Sequence, residues 1–455
     1  MGRAAQGNGH GIVIGGSLAG LAAARALANF MDRVTVIERD PVPRGRRRGV
    51  PQARHPHALT TAAQAGLEVL FPGIREDLVR AGAVPIALPE DVLVLGPAGW
   101  LPRFDSGLTL LSAGRDVIDA TLRDRLRADP KVYFLSGHEV IGLRPGRQDT
   151  VTGVWVRGRD RHAPDGWGRR GLIPADFVVD ASGRESRSPR WVAELGYEPP
   201  AETLHPARAV HAAAAFAPPL GHVADWKALW LMGGPGQPAA GVLHPVDGGR
   251  WSVALRTPQG APPPAGHREL LRAAAGLRHP VLGDVLESAT PLGPVYRFSG
   301  TDSRWRHYEK LRRWPDQYLV VGDALAALDP AHGQGMTLAI EAALILDSML
   351  AAHGTAIGIT YRLRRALARG LAPAWRTSIR HARHEPRLAT PATRSEAAAR
   401  LLLAHQETAT THPLRTSLAS ALRPLTPPST TPPSRTHGPP ERPVAAADLQ
   451  RLRSS

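Results

Sequence analysis

Three glycines and one carboxylate near the amino terminus have the types and spacing to hold a diphosphate. Gly15 and Gly16 follow an apolar run from Ile12, Gly20 comes next, and Glu38 lies 18 positions beyond Gly20. Backbone N–H groups in such a turn approach a pyrophosphate with no Cβ in the way. A carboxylate at that distance accepts both hydrogen bonds of an adenosine ribose. Ser17 stands where the middle glycine of G-x-G-x-x-G falls, which a serine tolerates if its side chain points away from the phosphate. Arg39 and Arg48, just beyond, are further cofactor-contact candidates.

A second constellation lies roughly 300 residues later. Gly322 and Asp323 close an apolar strand, and Asp329 to Gly335 reads D-P-A-H-G-Q-G ahead of a long apolar helix from Met336. Asp323 at a strand end accepts from a sugar-like hydroxyl. Pro330, Gly333, Gln334, Gly335 and Met336 form a glycine-flanked helix start, whose N–H groups and partial positive charge suit an anionic ligand edge. Arg115 precedes a helix over 116–127. Gln52, His55 and His332 are, with Pro330, candidates near the reacting end; Arg54, His55 and His57 make a dense donor cluster just after the ribose-binding strand.

The elements that must position these groups follow from periodicity. A strand from Ile12, an Ala/Leu-rich helix over 18–29 and a strand over 34–37 make a β-α-β unit. Buried strands are expected at 175–180, ending in Ala181-Ser182-Gly183-Arg184, and at 318–321. Residues 205–256 carry four strand-like runs separated by Gly/Pro turns, which points to an antiparallel sheet; His211, Phe216, Trp230 and Met232 are candidates for the substrate wall, with core packing as their default role. Strands are also expected at 92–95, 100–104 and 110–115, and helices at 363–372 and 392–403. Residues 8–75, 109–195 and 300–352 group as one discontinuous nucleotide-binding domain. Residues 76–108 and 196–299 group as a substrate domain, 353–420 as a helical region and 421–455 as a disordered Pro/Ser/Thr-rich tail.

Composition narrows the class. The chain has 455 residues, 43% hydrophobic and 21% charged, enough for more than one domain. It has no cysteine, which excludes disulfides and thiolate chemistry and fits a cytoplasmic protein. No uninterrupted apolar run of about 18 residues suggests a transmembrane helix. The formal net charge is +16, but from residue 351 onward 16 Arg face 5 Asp or Glu, so about +11 of it lies in the tail. No recognition motif accompanies that charge, so nucleic acid is not expected as a partner. No metal site is expected.

Taken in order, the turn at Gly15–Gly20, Arg115, V-V-D-A-S-G-R at 178–184 and L-V-V-G-D-A…D-P-A-H-G-Q-G-M at 319–336 resemble the single-component FAD monooxygenases built like p-hydroxybenzoate hydroxylase. R-R-G-V-P-Q-A-R-H-P-H-A-L at 47–59 and V-V-G-D-A-L-A-A-L-D-P-A-H-G-Q-G-M at 320–336 look like the bacterial epoxidases of polyether antibiotic biosynthesis. The likeness covers roughly residues 10–350. It implies an α/β fold: a Rossmann-type FAD-binding domain with an inserted antiparallel substrate sheet and a C-terminal helical extension. FAD would be held by Gly15, Gly16, Gly20, Glu38, Arg115, Gly322, Asp323, Pro330, Gly333 and Gly335. NADPH or NADH would be the electron donor, although Ser182 replaces the aspartate that helps donor docking in aromatic hydroxylases.

The implied reaction puts one oxygen of O2, through a flavin C4a-hydroperoxide, into a hydrophobic secondary metabolite, free or carrier-bound. A separate flavin reductase is a further partner to consider. Epoxidation needs no base, and the sequence identifies none, so an alkene in a polyketide or terpenoid is the first expectation. An aromatic polyketide hydroxylase, an FAD-dependent prenyl reductase and a non-catalytic flavoprotein are the alternatives. A halogenase is disfavoured: W-x-W is missing, and Lys131, Lys227 and Lys310 lie outside the motifs.

Overall fold

The protein is described by a computed structural model covering residues 9–41, 54–234 and 236–383. Arg48, Gln52, the expected helix at 392–403 and the tail at 421–455 lie outside the described residues.

Five short apolar strands form one parallel sheet: β1 (His10–Ile14), β2 (Arg33–Glu38), β3 (Val132–Ser136), β4 (Phe177–Asp180) and β5 (Tyr318–Val320). Their spatial order is β5-β4-β1-β2-β3. The order reverses between β1 and β4, and a crevice at the carboxyl ends of the strands beside such a reversal is where parallel sheets take ligands. The strands are buried on both faces, so they read as continuous apolar runs; Ile12, Val13, Val178, Val179 and Leu319 are fully buried.

Helix α1 (Leu18–Ala28) returns from β1 to β2 and is buried nearly all round, which its sequence LAGLAAARALA permits because alanine allows close approach. Helix α2 (Arg115–Arg127) packs on α1. Arg115 is the first residue of this helix. The preceding strand ends at Ser112, earlier than the apolar pattern suggested, because Gly114 takes the cap position. The crossover from β3 to β4 is a three-stranded antiparallel sheet of His138–Pro145, Val151–Arg159 and Trp167–Pro174. Its last strand, WGRRGLIP, lacks a clean alternation and was not expected from the sequence.

The second large sheet has eight strands and draws on both 92–100 and 209–298. It is antiparallel except where Val92–Gly96 lies parallel to Ala228–Leu231. That pairing joins segments far apart in sequence, so no hairpin fixes its direction. The neighbouring strand is only Gly99–Trp100, shorter than 100–104. One face packs on Leu270, Leu282 and Leu286 in a separate apolar core. Phe216 belongs to that core with Leu229 and Leu255, so it is not a wall residue. Alternation along the strands turns His211 and Trp230 to the opposite face, and Trp230 packs against the apolar core that contains the parallel sheet.

Two helices close the described chain: α3 (Gly335–His353) and α4 (Ile359–Arg383). The latter contains the expected 363–372. Helix α3 is long and apolar enough to cross a membrane by length and composition alone. Here it packs against α1 and α4, and Ile340, Leu346 and Leu350 are buried in the core.

Candidate functional site

The glycine turn works as the sequence requires. Gly15 has φ +98°, and a Cβ there would lie 2.6 Å from the Ala181 carbonyl oxygen. A Cβ on Gly20 would lie 1.8 Å from the Gly15 carbonyl oxygen, so α1 can approach β1 only with glycine at that position. Glu38 closes the turn from β2. Its Oε2 accepts from Gly16 N–H at 3.0 Å and its Oε1 from Asp40 N–H at 3.0 Å.

Ser17 is the departure from the glycine pattern, and the structure gives it a role. Its hydroxyl accepts from Arg115 Nη2 at 2.7 Å and donates to Asp119 Oδ2 at 3.3 Å, while Arg115 Nε donates to Asp119 Oδ1 at 3.1 Å. Arg123 Nη2 donates to the Gly16 carbonyl at 3.1 Å. Residues 115, 119 and 123 are four apart, so they share one face of α2 under the turn. Asp119 and Arg123 are both buried. The R-x-x-x-D-x-x-x-R spacing carried this signal, although only Arg115 was singled out.

The second turn, Ala181–Arg184, is fixed by the fully buried Asp180. This carboxylate accepts from Ser182 N–H at 2.8 Å and from Ser186 Oγ at 2.6 Å, and it also bonds the Ser188 hydroxyl. The distant motif meets the first through Gly322: with φ +61°, a Cβ there would stand 2.7 Å from Ala19 Cβ on α1. At the far end, Asp329 caps the Pro330–His332 turn by accepting from Ala331 N–H at 3.0 Å. Gly333 follows at φ +64°, and the first intrahelical bond of α3 runs from Leu338 N–H to Gln334. The N–H groups of Gly335, Met336 and Thr337 therefore precede the helical ladder. Thr337 is pinned by a 3.0 Å hydroxyl contact to Thr60.

These parts enclose one cavity of about 590 Å³. Gly15, Gly16, Ser17, Glu38, Arg39 and Arg115 line one half; Asp323, Pro330, Gly333, Gly335 and Met336 line the other, with His55. Ser182, Gly183 and Arg184 stand between them. Gly20, Gly322, Gln334 and His332 do not line it. Gly20 and Gly322 act by close packing instead.

The histidines beside the cavity are held neutral. Burial, with a smaller effect of His211, lowers the His55 pKa to about 4. Burial and then the Arg115 charge lower His57 to about 3. Burial lowers His244 to about 4; this ring accepts from Trp230 Nε1 at 2.7 Å. Burial also lowers His211, against the opposing pull of Asp329, whose Oδ1 is 3.9 Å from His211 Nε2. The His55 and His211 rings meet edge-on at 5.6 Å. No local pattern in the sequence linked His211 to Asp329, because they meet only across the two sheets.

The cradle fits FAD. Glycine-only approaches, a ribose-type carboxylate, a fixed guanidinium and a helix start surround one space within the 300–1,000 Å³ range of small-ligand sites. Glu38→Gln tests the adenosine end. Both oxygens of Glu38 face N–H groups, so an amide NH2 must oppose one of them. FAD affinity is expected to fall about 10- to 100-fold, read as the Kd from quenching of FAD fluorescence.

No protein-family model matches the chain. It is 33% identical over 397 residues to Protein Rv3254 of Mycobacterium tuberculosis (strain ATCC 25618 / H37Rv), covering 83% of this chain and 82% of that one. It is 26% identical over 370 residues to a kynurenine 3-monooxygenase of Salinispora arenicola (strain CNS-205), covering 75% and 72%. Among solved structures, the flavin-dependent brominase Bmp2 matches with TM-score 0.67 at 15% identity, over 90% of this chain and 98% of that one. The structure of pqsL, a probable FAD-dependent monooxygenase from Pseudomonas aeruginosa, matches with TM-score 0.60 at 17% identity, over 87% of this chain and 99% of that one. The chain belongs to the family of Protein Rv3254 and shares its fold with the flavin-dependent brominase Bmp2 and with pqsL, a probable FAD-dependent monooxygenase.

Proposed function

We propose that the protein inserts one oxygen atom of O2 into a hydrophobic secondary metabolite, by epoxidation of an alkene in a polyketide or terpenoid. The observation that carries the proposal is the convergence of the Gly15–Gly16 turn, Glu38, Arg115 and the Asp323–Met336 segment on one cavity. FAD, when bound, supplies the activation of O2. The chain supplies the rest. Glu38 accepts from the adenosine ribose. Arg115, fixed by Ser17 and Asp119, faces the diphosphate. Asp323 accepts from the polyol. The N–H groups of Gly335 and Met336 offer positive potential to the flavin's anionic edge. The histidine-bearing face of the eight-stranded sheet would receive the substrate. The donor is NADPH or NADH, and the enzyme works in the cytoplasm.

A second reading, aromatic polyketide hydroxylation, rests on His55. Ring hydroxylation of a phenol is helped by an acceptor near the substrate oxygen, and His55 is a neutral imidazole lining the cavity whose Nε2 has no partner among the described residues. Oxygen uptake and NAD(P)H oxidation, measured with polyenes and with aromatic polyketides, separate the two. Epoxidation predicts polyene-stimulated uptake that His55→Phe changes by less than about threefold. Hydroxylation predicts stimulation by the aromatic compounds and a loss of about 10²-fold in His55→Phe. Substrate-stimulated donor oxidation with no oxygen uptake contradicts both and favours a reductase.

A further inference from the structure

The cluster Arg54-His55-Pro56-His57 is not accounted for by the cofactor roles above, and His57 is its most constrained member. The ring is buried, lines the cavity and lies close enough to Arg115 for that charge to act on it. Its Nδ1 is 2.7 Å from the His55 carbonyl oxygen. A carbonyl only accepts, so Nδ1 carries the proton and Nε2 carries a lone pair. Nε2 makes no hydrogen bond to a described residue, and it is not among the sealed, unpartnered nitrogens, so it opens to the cavity that the ring lines. A donor on a ligand in that cavity can use it as an acceptor.

The chemistry of that ligand group is constrained. An uncharged acceptor repels phosphate and carboxylate oxygens and binds O–H or N–H donors. Protonation would turn it into a second cation beside Arg115, and burial together with that charge opposes this; His55 and His244 are the other titratable groups acting on the ring, and both also disfavour its charged form. The adenosine ribose is already served by Glu38 on β2. Between the Arg115 region and the Pro330 end, the hydroxyl donors that FAD carries are those of its ribityl chain.

We propose that His57 is a cofactor-binding residue whose Nε2 accepts a hydrogen bond from a ribityl hydroxyl of FAD. The assignment rests on the FAD reading above. The tautomer follows from the backbone at His55, so the sequence H-P-H acts as a unit: the first histidine's carbonyl fixes the proton of the second.

The test compares FAD with ADP, which shares the adenosine half but has no ribityl chain. Dissociation constants are measured for wild type, His57→Leu and His57→Gln, by FAD fluorescence quenching and by calorimetry for ADP. His57→Leu should weaken FAD about tenfold and change ADP by less than about twofold. His57→Gln, which keeps an acceptor, should recover most of the FAD affinity. Unchanged FAD affinity in His57→Leu overturns the assignment. So does equal weakening of FAD and ADP, which would mean that the side chain only supports the glycine turn. If wild type takes up ADP but no FAD, the FAD reading itself fails, and this assignment with it.

Discussion

Gly20→Ala is expected to abolish practical FAD binding, with a loss of at least about 10²-fold in affinity and about 3 kcal/mol in stability. The new Cβ would sit 1.8 Å from the Gly15 carbonyl oxygen and 2.9 Å from its carbon. Both are backbone atoms, so no side-chain rotation relieves the clash. Helix α1 must move off β1, and the N–H groups of the turn move with it. The neighbouring Gly16→Ala is the control. Its Cβ would meet Glu38 Oε2 at 3.3 Å, a tight contact with a side chain that can give way. Its effect on the FAD Kd should be at least tenfold smaller than that of Gly20→Ala. Equal Kd values for Gly20→Ala and wild type would show that the turn does not need its close helix–strand contact.

The second large effect is acid instability of the FAD-free protein. His55, His57 and His244 are buried, and their pKa values fall from about 6.5 to about 4, about 3 and about 4. Above pH ~6.5 both folded and unfolded chains hold these rings neutral, and the native state keeps its full stability. Below it the unfolded chain takes up protons that the folded chain refuses. Stability is then lost progressively down to the folded-state values. Each ring contributes up to about 1.4 kcal/mol per pH unit, so three give on the order of 4 kcal/mol per unit between pH ~6 and ~4.5. Urea unfolding at a series of pH values reads this slope. His244→Gln should reduce the slope by about one third. Stability that stays flat from pH 7.5 to 5 would show that these rings are not buried neutral.

The parts of the site that depend on short-range geometry were legible in the sequence. A glycine turn, its helix and the carboxylate that ends the next strand are fixed within 30 residues, and their residue types admit few other structures. The Gly322–Asp323 motif was readable for the same reason, and its meeting with Ala19 follows from two close-packing small residues. Ser17 was legible only as a departure. Its partners, Arg115 and Asp119, lie about 100 residues away on another element, and hydroxyl direction is not encoded in spacing.

The substrate side was read less well. Phe216 and His211 belong to one apolar strand, AVHAAAAFA, and which face each takes depends on register against Arg250–Pro258. A shift of one residue exchanges the faces, and nothing in a run of alanines fixes it locally. That the sequence pointed to no catalytic base has a related cause. His55 was visible as a residue, but its neutral state depends on burial beside His211, which comes from a different sheet.

Oxygen insertion requires that one atom of O2 enter the product. Turnover of a polyene or aromatic polyketide under isotopically labelled O2, with NADPH or NADH as donor and the product examined by mass spectrometry, tests it most directly. One labelled oxygen atom in the product and one equivalent of donor oxidised per product formed are expected. A product that carries no label while the donor is consumed would contradict it.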